Sequence, residues 1–311
     1  MEFEHKPVLL EQTLDNLDPH ADGIYVDMTV GGAGHSLAIA QRLSEKGMLI
    51  GIDQDDEALA AAQQRLSTAK CAVKLIKGNF RDCRLLLNGQ GIFEIDGAIF
   101  DIGVSSHQLD IPERGFSYMQ DAPLDMRMDP DTDLTAGEIV NEWAKEDIYK
   151  IILKYGEEKW AARIAEFIVA AREKKKIETT FELVDIIKAA IPAAARRNGP
   201  HPAKRTFQAV RIAVNDELGA LRQGLHSALE MLRPGGRMCV ITFHSLEDRI
   251  AKEFFVEEAK VCKCPPKLPV CICNGQAKVK IITRKPIVAD QNELENNPRA
   301  RSAKLRAIER I

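Results

Sequence analysis

Short apolar segments alternate with amphipathic segments over the first hundred residues. Four of the apolar segments are predicted strands, and they cover residues 23–27, 48–53, 73–76 and 95–101. The segments between them have the periodicity of helices. Between the second and third strands, for example, apolar residues recur at intervals of three and four, at Leu59, Ala62 and Leu66. Strands that alternate with helices join through right-handed crossovers into a parallel sheet. The pattern therefore predicts an α/β domain.

The alternation stops after residue 107, where a polar loop leads into segments that show helical spacing only. A fifth strand pattern appears at residues 237–243, too far along the chain for an ordinary crossover from the fourth. We therefore predict two domains. Residues 1–107 and 206–311 form a discontinuous α/β domain, and residues 108–205 form an inserted helical domain for substrate recognition.

A long amphipathic helix is predicted over residues 206–232. The sequence Pro234-Gly235-Gly236, which follows directly, is predicted to end it. Its apolar stripe can pack within the fold or against a second copy of the chain. The sequence therefore leaves a homodimer open.

The composition is that of a globular protein, with 45% hydrophobic and 29% charged residues. No apolar run approaches the ~18 residues that a membrane span needs, and charges interrupt the N-terminal stretch. Seven cysteines, an odd number, favour a reducing compartment over a disulfide framework. We expect a cytoplasmic protein without a membrane segment.

The net charge of −3 is unevenly distributed. Residues 1–107 contain 9 basic and 16 acidic residues, whereas residues 170–205 and residues 278–311 each contain 9 basic and 4 acidic residues. The two basic segments can hold a polyanion, or they can be ordinary solvated surfaces.

Acidic residues end three of the predicted strands: Asp27, Asp53 and Asp101. Ligands of an open parallel sheet bind beyond the carboxyl ends of its strands. There, Asp53 can accept hydrogen bonds from ribose hydroxyls, Asp101 can hold a cationic or exocyclic amine, and Phe80 can pack on an adenine. Although such acids are often only helix caps, three on consecutive turns predict a nucleoside-bearing cofactor.

The turn after Asp27 contains Gly31, Gly32 and Gly34, which let the backbone approach a ligand or simply form a tight turn. A dinucleotide fingerprint requires a third spaced glycine, but Leu37 occupies that position. The Asp27 carboxylate would repel a pyrophosphate and attract the ammonium of a methionine moiety. The residues therefore favour S-adenosylmethionine over a nicotinamide dinucleotide.

A C-x-C-x₆-C-x-C pattern is formed by Cys262, Cys264, Cys271 and Cys273. Four thiolates can close a tetrahedral structural zinc site, although the common spacing is C-x₂-C. Reduced cysteines packed in a loop and a redox role are the alternatives.

Several longer motifs are specific, including D-M-T-V-G-G-A-G-H-S at residues 27–36 and P-L-D-M-R-M-D at residues 123–129. Others lie at residues 5–10, 101–106, 113–117, 206–212, 242–249 and 297–302. With these motifs the chain resembles the MraW family of bacterial 16S ribosomal RNA cytosine-N4 methyltransferases. The resemblance implies a Rossmann-like class I S-adenosylmethionine-dependent methyltransferase domain with an inserted all-helical domain. It also implies methylation of a cytidine in the decoding centre of the small ribosomal subunit.

The resemblance further implies seven cofactor contacts. We add the aspartate and the first glycine of the turn after the first strand, because the residues themselves indicate a ligand there. They are Ala33, Gly34, His35, Asp53, Phe80, Asp101 and Gln108, with Asp27 and Gly31. Ala33 stands where many relatives have glycine, and its methyl group is tolerated if its φ stays negative.

Methylation of an exocyclic amine requires alignment of the nitrogen with the methyl donor and an acceptor for its proton. The Asn/Asp-Pro-Pro-aromatic loop of many nucleobase methyltransferases is replaced here by D-I-G-V-S-S, which begins at Asp101. Asp101 is the first candidate acceptor, and Ser105, Asp125, Arg127 and His244 are the others. Asp125 and Arg127 can instead pair as a loop clasp, and His244 can instead cap a helix.

A base in folded RNA must be turned out of its stack to reach a buried methyl donor. The candidate phosphate ligands are Lys174, Lys175, Lys176, Arg196, Arg197, Lys204, Arg205, Arg299, Arg301, Lys304 and Arg306. The implied partner is 16S rRNA or the small ribosomal subunit. A DNA amino-methyltransferase and a non-catalytic ribosome assembly factor are the alternative functions.

Overall fold

The computed structural model describes residues 7–197, 199–262, 264 and 275–311. The strands in these ranges are β1 (Ile24–Asp27), β2 (Met48–Asp53), β3 (Ala72–Lys77), β4 (Ile95–Asp101), β5 (Leu232–Thr242), β6 (Val279–Ile281) and β7 (Lys304–Arg310). The first helices are α1 (Leu10–Leu17), α2 (Gly34–Ala40), α3 (Asp56–Arg65), α4 (Cys83–Gly89), α5 (Ser106–Asp110), α6 (Ala136–Glu142) and α7 (Lys145–Gly156). They are followed by α8 (Ala161–Arg172), α9 (Thr180–Ala190), α10 (Ala193–Arg196), α11 (Lys204–Asn215), α12 (Glu217–Met231), α13 (Ser245–Glu258) and α14 (Gln291–Asn296).

The chain divides into two compact units. The α/β unit comprises Met1–Gly103 and Leu218–Ile311, and the helical unit comprises Val104–Glu217. The sequence-based division at residues 107 and 205 therefore differs from the structural one, chiefly because α11 lies in the helical unit. Whether the helical unit recognises the substrate stays a prediction.

The sheet of the α/β unit has the order β3-β2-β1-β4-β5-β7-β6. Strands β1 to β5 are parallel, whereas β7 lies antiparallel between β5 and β6. This order with a single reversed strand is the Rossmann-like class I methyltransferase topology, so the predicted fold class is confirmed. The order also reverses direction at β1 and β4, the point where an open sheet binds its ligands.

Burial explains why the central strands were recognisable. In β4 the side chains of Ile95, Ala98, Ile99 and Phe100 are all buried, because helices cover both faces of a parallel sheet. Such a strand gives a continuous apolar run, which is why the predicted bounds of β2 and β4 match the structure.

The C-terminal half departs from the sequence prediction at the long helix and at the start of β5. The single helix expected over residues 206–232 is two helices, α11 and α12, because the chain turns at Asp216 with a φ of 46°. Strand β5 begins at Leu232, so Pro234-Gly235-Gly236 lies within the strand instead of before it.

The helical unit is built around its own apolar core, which α6 to α9 and α11 supply. Two of its helices begin with capping boxes, in which Thr135 pairs with Glu138 and Thr179 pairs with Glu182. The N-cap of α9 is thus Thr179.

Candidate functional site

The turn after β1 is organised around the buried carboxylate of Asp27. Its oxygens accept hydrogen bonds from the Ser36 hydroxyl at 2.7 Å and from the Thr29 N–H at 3.1 Å. Gly31 follows with a φ of 46°, and its N–H donates to Asp53 Oδ2 over 2.9 Å. The turn is thereby tied to the end of β2, which brings two of the predicted acids to the same place.

Ala33 and Gly34 lead from this turn into α2. A Cβ on Gly34 would lie 2.5 Å from Cγ of Pro7, so a side chain there would clash with the N-terminal segment. Ala33 is fully buried and has a φ of 57°. The condition of a negative φ at Ala33 is therefore not met, and this residue carries left-handed backbone strain that a glycine would avoid.

Asp53 and Phe80 lie at the carboxyl ends of β2 and β3. Burial raises the pKa of Asp53, whose Oδ1 also accepts the Asp55 N–H over 3.0 Å. The Phe80 ring lies edge-on to Phe100, with ring centroids 5.6 Å apart. Gly224 of α12 permits this position, since a Cβ there would lie 2.6 Å from Phe80 Cδ2. Sequence reasoning missed Gly224, although a glycine inside a helical stripe is itself a signal of close packing.

Asp101 ends β4 at the carboxyl edge of the sheet. Its backbone N–H donates to Thr29 Oγ1 over 2.9 Å, which joins the ends of β4 and β1. Among the described residues, buried Oδ1 of Asp101 has no hydrogen-bond partner. Burial, then the charges of Asp27 and Glu247, raises the pKa of Asp101 to about 8.

His35 lies beside this carboxyl group. Its Nδ1 is 3.6 Å from Asp101 Oδ2, and its Nε2 is 2.9 Å from the carbonyl oxygen of Val8. A carbonyl oxygen only accepts, so the proton of a neutral His35 lies on Nε2. The Nδ1 lone pair then faces Asp101, an arrangement that favours a proton on the carboxyl group.

Three acids therefore share the carboxyl edge of the sheet. Burial first, and then the nearby Asp53 charge, raises the pKa of Asp27 to about 6. Buried carboxylates that repel one another are stabilised in their ionised form by a cation. S-adenosylmethionine carries a sulfonium and an ammonium group, so the residues at this edge fit it.

His244 and Glu247 form the capping box that begins α13. Glu247 Oε2 accepts the N–H groups of Phe243 and His244, at 2.7 and 3.1 Å. His244 Nδ1 in turn faces the Glu247 N–H at 3.5 Å. His244 thus has the capping position that the sequence offered as its alternative role, and Glu247 adds a charge that sequence reasoning did not anticipate.

Asp125 and Arg127 form a two-pronged ion pair within the helical unit. Arg127 Nε and Nη2 donate to the two Asp125 oxygens over 3.0 and 2.7 Å, and Arg127 Nη1 donates to the carbonyls of Pro130 and Thr132. Burial would raise the pKa of Asp125, but the hydrogen bonds from Arg127 outweigh it and lower the pKa. These contacts are those of a loop clasp.

Ser105 and Gln108 also belong to the helical unit, at the start of α5. The Ser105 N–H donates to Gln108 Oε1 and the Gln108 N–H donates to Ser105 Oγ, both over 3.1 Å. The two residues thus hold one another in place, and Gln108 is buried.

Most of the basic candidates are exposed at the surface: Lys174, Lys175, Lys176, Arg196, Arg197, Lys204, Arg205, Arg299 and Arg301. Arg306 is an exception and corrects the sequence interpretation. It is only 7% exposed, and its Nε donates to Asp248 Oδ1 over 2.7 Å. Lys304 donates to the other oxygen of the same carboxylate over 3.1 Å. Asp248 therefore already pairs with two cations that were assigned to phosphate.

The cysteine pattern is only partly covered by the structure. Cys262 is exposed and Cys264 is half-buried, whereas Cys271 and Cys273 lie outside the described residues. In the part of the chain that is described, no helix is long and apolar enough to cross a membrane.

Comparison with known proteins agrees with this geometry. The model of the MraW methylase family matches residues 2–311. The chain belongs to the MraW methylase family. Within that family, it is 58% identical to ribosomal RNA small subunit methyltransferase H of Heliobacterium modesticaldum, over 100% of both chains. It is equally identical to the protein of that name from Acetivibrio thermocellus, again over 100% of both chains. Among solved structures, an rRNA methylase from Streptococcus thermophilus matches with a TM-score of 0.42 at 11% identity over 98% of each chain, a likeness too low to support an inference.

Proposed function

We propose that this chain transfers a methyl group from S-adenosylmethionine to N4 of a cytidine in the decoding centre (P-site region) of 16S rRNA. The assembled small subunit is the proposed substrate. Membership of the MraW methylase family and the names of the relatives support the rRNA substrate. The observation that carries the proposal is Asp101 at the switch point of the sheet, whose buried Oδ1 has no hydrogen-bond partner among the described residues.

S-adenosylmethionine, when bound, supplies an electrophilic methyl group. The residues proposed to hold it are Ala33, Gly34, His35, Asp53, Phe80, Asp101 and Gln108, with Asp27 and Gly31 shaping the turn. The acids balance its positive charges, and Phe80 offers a face to its adenine. Burial of the acids keeps competing water away and strengthens the attraction.

The cytosine N4 amine is a weak nucleophile, because its lone pair is delocalised into the ring. The protein therefore has to align N4 and accept its N–H group as charge develops. We propose that Asp101 Oδ1 accepts this hydrogen bond and then the proton. The raised pKa of about 8 makes ionised Asp101 a stronger base than an ordinary aspartate, and the positive charge of bound S-adenosylmethionine would stabilise the ionised form that accepts the proton.

The other catalytic candidates receive different roles. We propose that Asp125 and Arg127 hold the loop that precedes α6, and that His244 fixes the start of α13. Ser105 is proposed to position Gln108 through their reciprocal hydrogen bonds. None of these roles requires contact with the reacting nitrogen.

The exposed basic residues are proposed to hold RNA phosphates, with the helical unit as the recognition element. They are Arg196, Arg197, Lys204, Arg205, Arg299 and Arg301. Charge reversal of Arg196 and Arg197 to glutamate should weaken RNA binding and reduce its dependence on salt. Reversal of the exposed Lys46 and Lys70 is the charge-matched control, and an equal effect in both pairs would contradict the assignment.

Three further proposals are independent of the reaction. Zinc at Cys262, Cys264, Cys271 and Cys273 would be structural, and less than ~0.2 zinc per chain in elemental analysis would contradict it. A homodimer is testable by sedimentation. A cytoplasmic location is testable by cell fractionation.

The decisive experiment is transfer of labelled methyl groups to three acceptors, followed by nucleoside mass spectrometry. The acceptors are small subunits from a strain that lacks the modification, free 16S rRNA, and duplex DNA. We expect N4-methylcytidine in the subunit alone. Label in DNA would favour a DNA amino-methyltransferase, and cofactor binding without transfer to any acceptor would favour an assembly factor.

A further inference from the structure

A ladder of three rings lies in the helical unit, and none of the three residues was assigned to methyl transfer. The Tyr118 ring stacks on the His201 imidazole, with centroids 4.7 Å apart and planes 9° from parallel. Phe207 meets Tyr118 edge-on at 5.7 Å. Phe207 is a core residue with 3% exposure, whereas Tyr118 and His201 are half-buried. The ladder therefore begins in the core and ends at the surface with His201.

The imidazole of His201 is held in one orientation. Its Nδ1 accepts the Ala203 N–H over 3.3 Å, so a neutral ring carries its proton on Nε2. Pro200 and Pro202 flank it and restrict the backbone on both sides. Burial, then the charge of Lys188, lowers the pKa of His201, which favours the neutral ring at physiological pH.

The chain on both sides of His201 is rich in basic residues. Arg196, Arg197, Lys204 and Arg205 are exposed and lie within a few residues of His201 along the chain. Some are oriented by backbone contacts: Arg196 Nε donates to the Ile191 carbonyl over 3.0 Å. Proteins bind unpaired RNA with this combination, in which cations track the phosphates and flat rings stack on the bases.

We propose that His201, backed by Tyr118, is a stacking platform for one unpaired base of the RNA substrate. This inference rests on the proposed function, because it takes RNA as the ligand. The platform adds a site that contacts a base of the RNA and no phosphate group. His201 is accordingly an RNA-binding residue and not a catalytic one.

The test is binding of a fluorescein-labelled, single-stranded RNA of roughly 12 nucleotides to the full chain, measured by anisotropy over a range of salt. His201→Ala should weaken binding about tenfold, the loss of one stacked base. The RNA affinity of this variant should depend on salt as that of the unmodified protein does, since no phosphate contact is removed. His201→Phe should restore most of the affinity, because it keeps a flat ring.

Met119→Ala is the matched control, since Met119 is next to Tyr118 and 68% exposed. It should bind RNA as the unmodified protein does. Melting temperatures of all variants separate lost binding from lost folding, and a folded His201→Phe chain without restored affinity would overturn the platform. Unchanged affinity in His201→Ala would overturn it as well, and so would a reduced salt dependence.

Methyl transfer to small subunits distinguishes this inference from the function on which it rests. The platform predicts that His201→Ala raises KM for the subunit and leaves kcat unchanged. If the unmodified protein transfers no methyl group, the proposed function fails. The binding measurement needs no methyl donor and still decides the platform.

Discussion

Asp101 and Asp125 are both aspartates that the sequence offered as proton acceptors, and the two units treat them in opposite ways. Asp125 has a two-pronged ion pair with Arg127, and its pKa is lowered. Asp101 has an unpartnered oxygen within the described chain and lies near Asp27 and Glu247, and its pKa is raised. One carboxylate is satisfied by the protein itself, whereas the other is costly to ionise until a ligand arrives.

This contrast separates structural from functional acids by a physical criterion. A satisfied ion pair stabilises its loop and leaves no bonding capacity for a substrate. An unsatisfied buried carboxyl group lowers stability when ionised, so its presence is explained by what it binds. Substitution of the two aspartates should accordingly have opposite effects on stability and activity.

The largest effect is expected for activity in Asp101→Asn. The amide cannot take up the N4 proton, so methyl transfer to the small subunit should fall about 100-fold. Labelled methyl incorporation at saturating cofactor measures this loss. Asp15→Asn, at an exposed position of α1, should retain full activity. Full activity in Asp101→Asn would remove Asp101 from the acceptor role.

Asp125→Asn should instead destabilise the protein. The amide leaves the half-buried Arg127 without its charged partner, which should reduce the free energy of unfolding by about 2 kcal/mol. Urea denaturation measures the change. Asp147→Asn is the control, because solvent screens its exposed pair with Lys150 and its loss should leave stability nearly unchanged. Equal effects of the two substitutions would refute the clasp.

The pH dependence of stability sharpens the same contrast. The pKa of Asp101 rises from 3.8 to about 8 on folding, so over that range the folded chain binds a proton that the unfolded chain lacks. The free energy of unfolding therefore falls as pH increases. Between about pH 4 and 8, Asp101→Asn should reduce this fall in the free energy of unfolding by on the order of 2 kcal/mol. This is less than the free energy that corresponds to the whole pKa shift, because the side chain is 27% exposed and solvent screens its charge.

Asp125 should show the opposite sign in the same titration. Its pKa is lowered by folding, so its contribution is present above the unfolded pKa and is lost as pH falls. Denaturation of both asparagine variants and the unmodified protein from about pH 8 to well below pH 4 measures the two contributions, because the Asp125 contribution is lost only below its ordinary pKa of 3.8. Parallel profiles for the two variants would contradict the contrast.

The smallest effect is expected at Ala33. Ala33→Gly removes a buried methyl group but relieves the strain of a φ of 57°. Ala62→Gly removes an equally buried methyl group from the regular helix α3 without any such relief. We expect Ala33→Gly to be less destabilising by about 1 kcal/mol in urea denaturation. A larger loss at Ala33 would show that its methyl group is a packing requirement.

The sequence predicted the α/β half well where burial leaves a continuous apolar run. Asp27, Asp53 and Asp101 end β1, β2 and β4, as expected. Strand β7 was missed because its three basic residues were counted with the basic segment 278–311, so that Arg306 was taken for a phosphate ligand. Its pairing with Asp248 depends on α13, which local patterns do not reveal.

Other misses have equally specific causes. The break between α11 and α12 at Asp216 contains no proline or glycine, and the apolar stripe continues across it. An aspartate tolerates the left-handed conformation, so the helix ends there without a helix-breaking residue in the sequence. The difference between Asp101 and Asp125 was also beyond the sequence, because it depends on which neighbours supply donors. The residue type at a position identifies which chemical groups are present there. Packing decides whether those groups are already hydrogen-bonded within the protein or can still bind a ligand.

Insertion of the helical unit between β4 and β5 has a kinetic consequence. These two strands are neighbours in the sheet, yet the chain between them runs through the whole helical unit. Val104 and Val214 both pack in the core of that unit, so its folding draws the two ends of the insertion together. Each halving of the open loop lowers the entropic cost of its closure by about 0.6 kcal/mol. Early folding of the helical unit therefore speeds the pairing that completes the centre of the sheet.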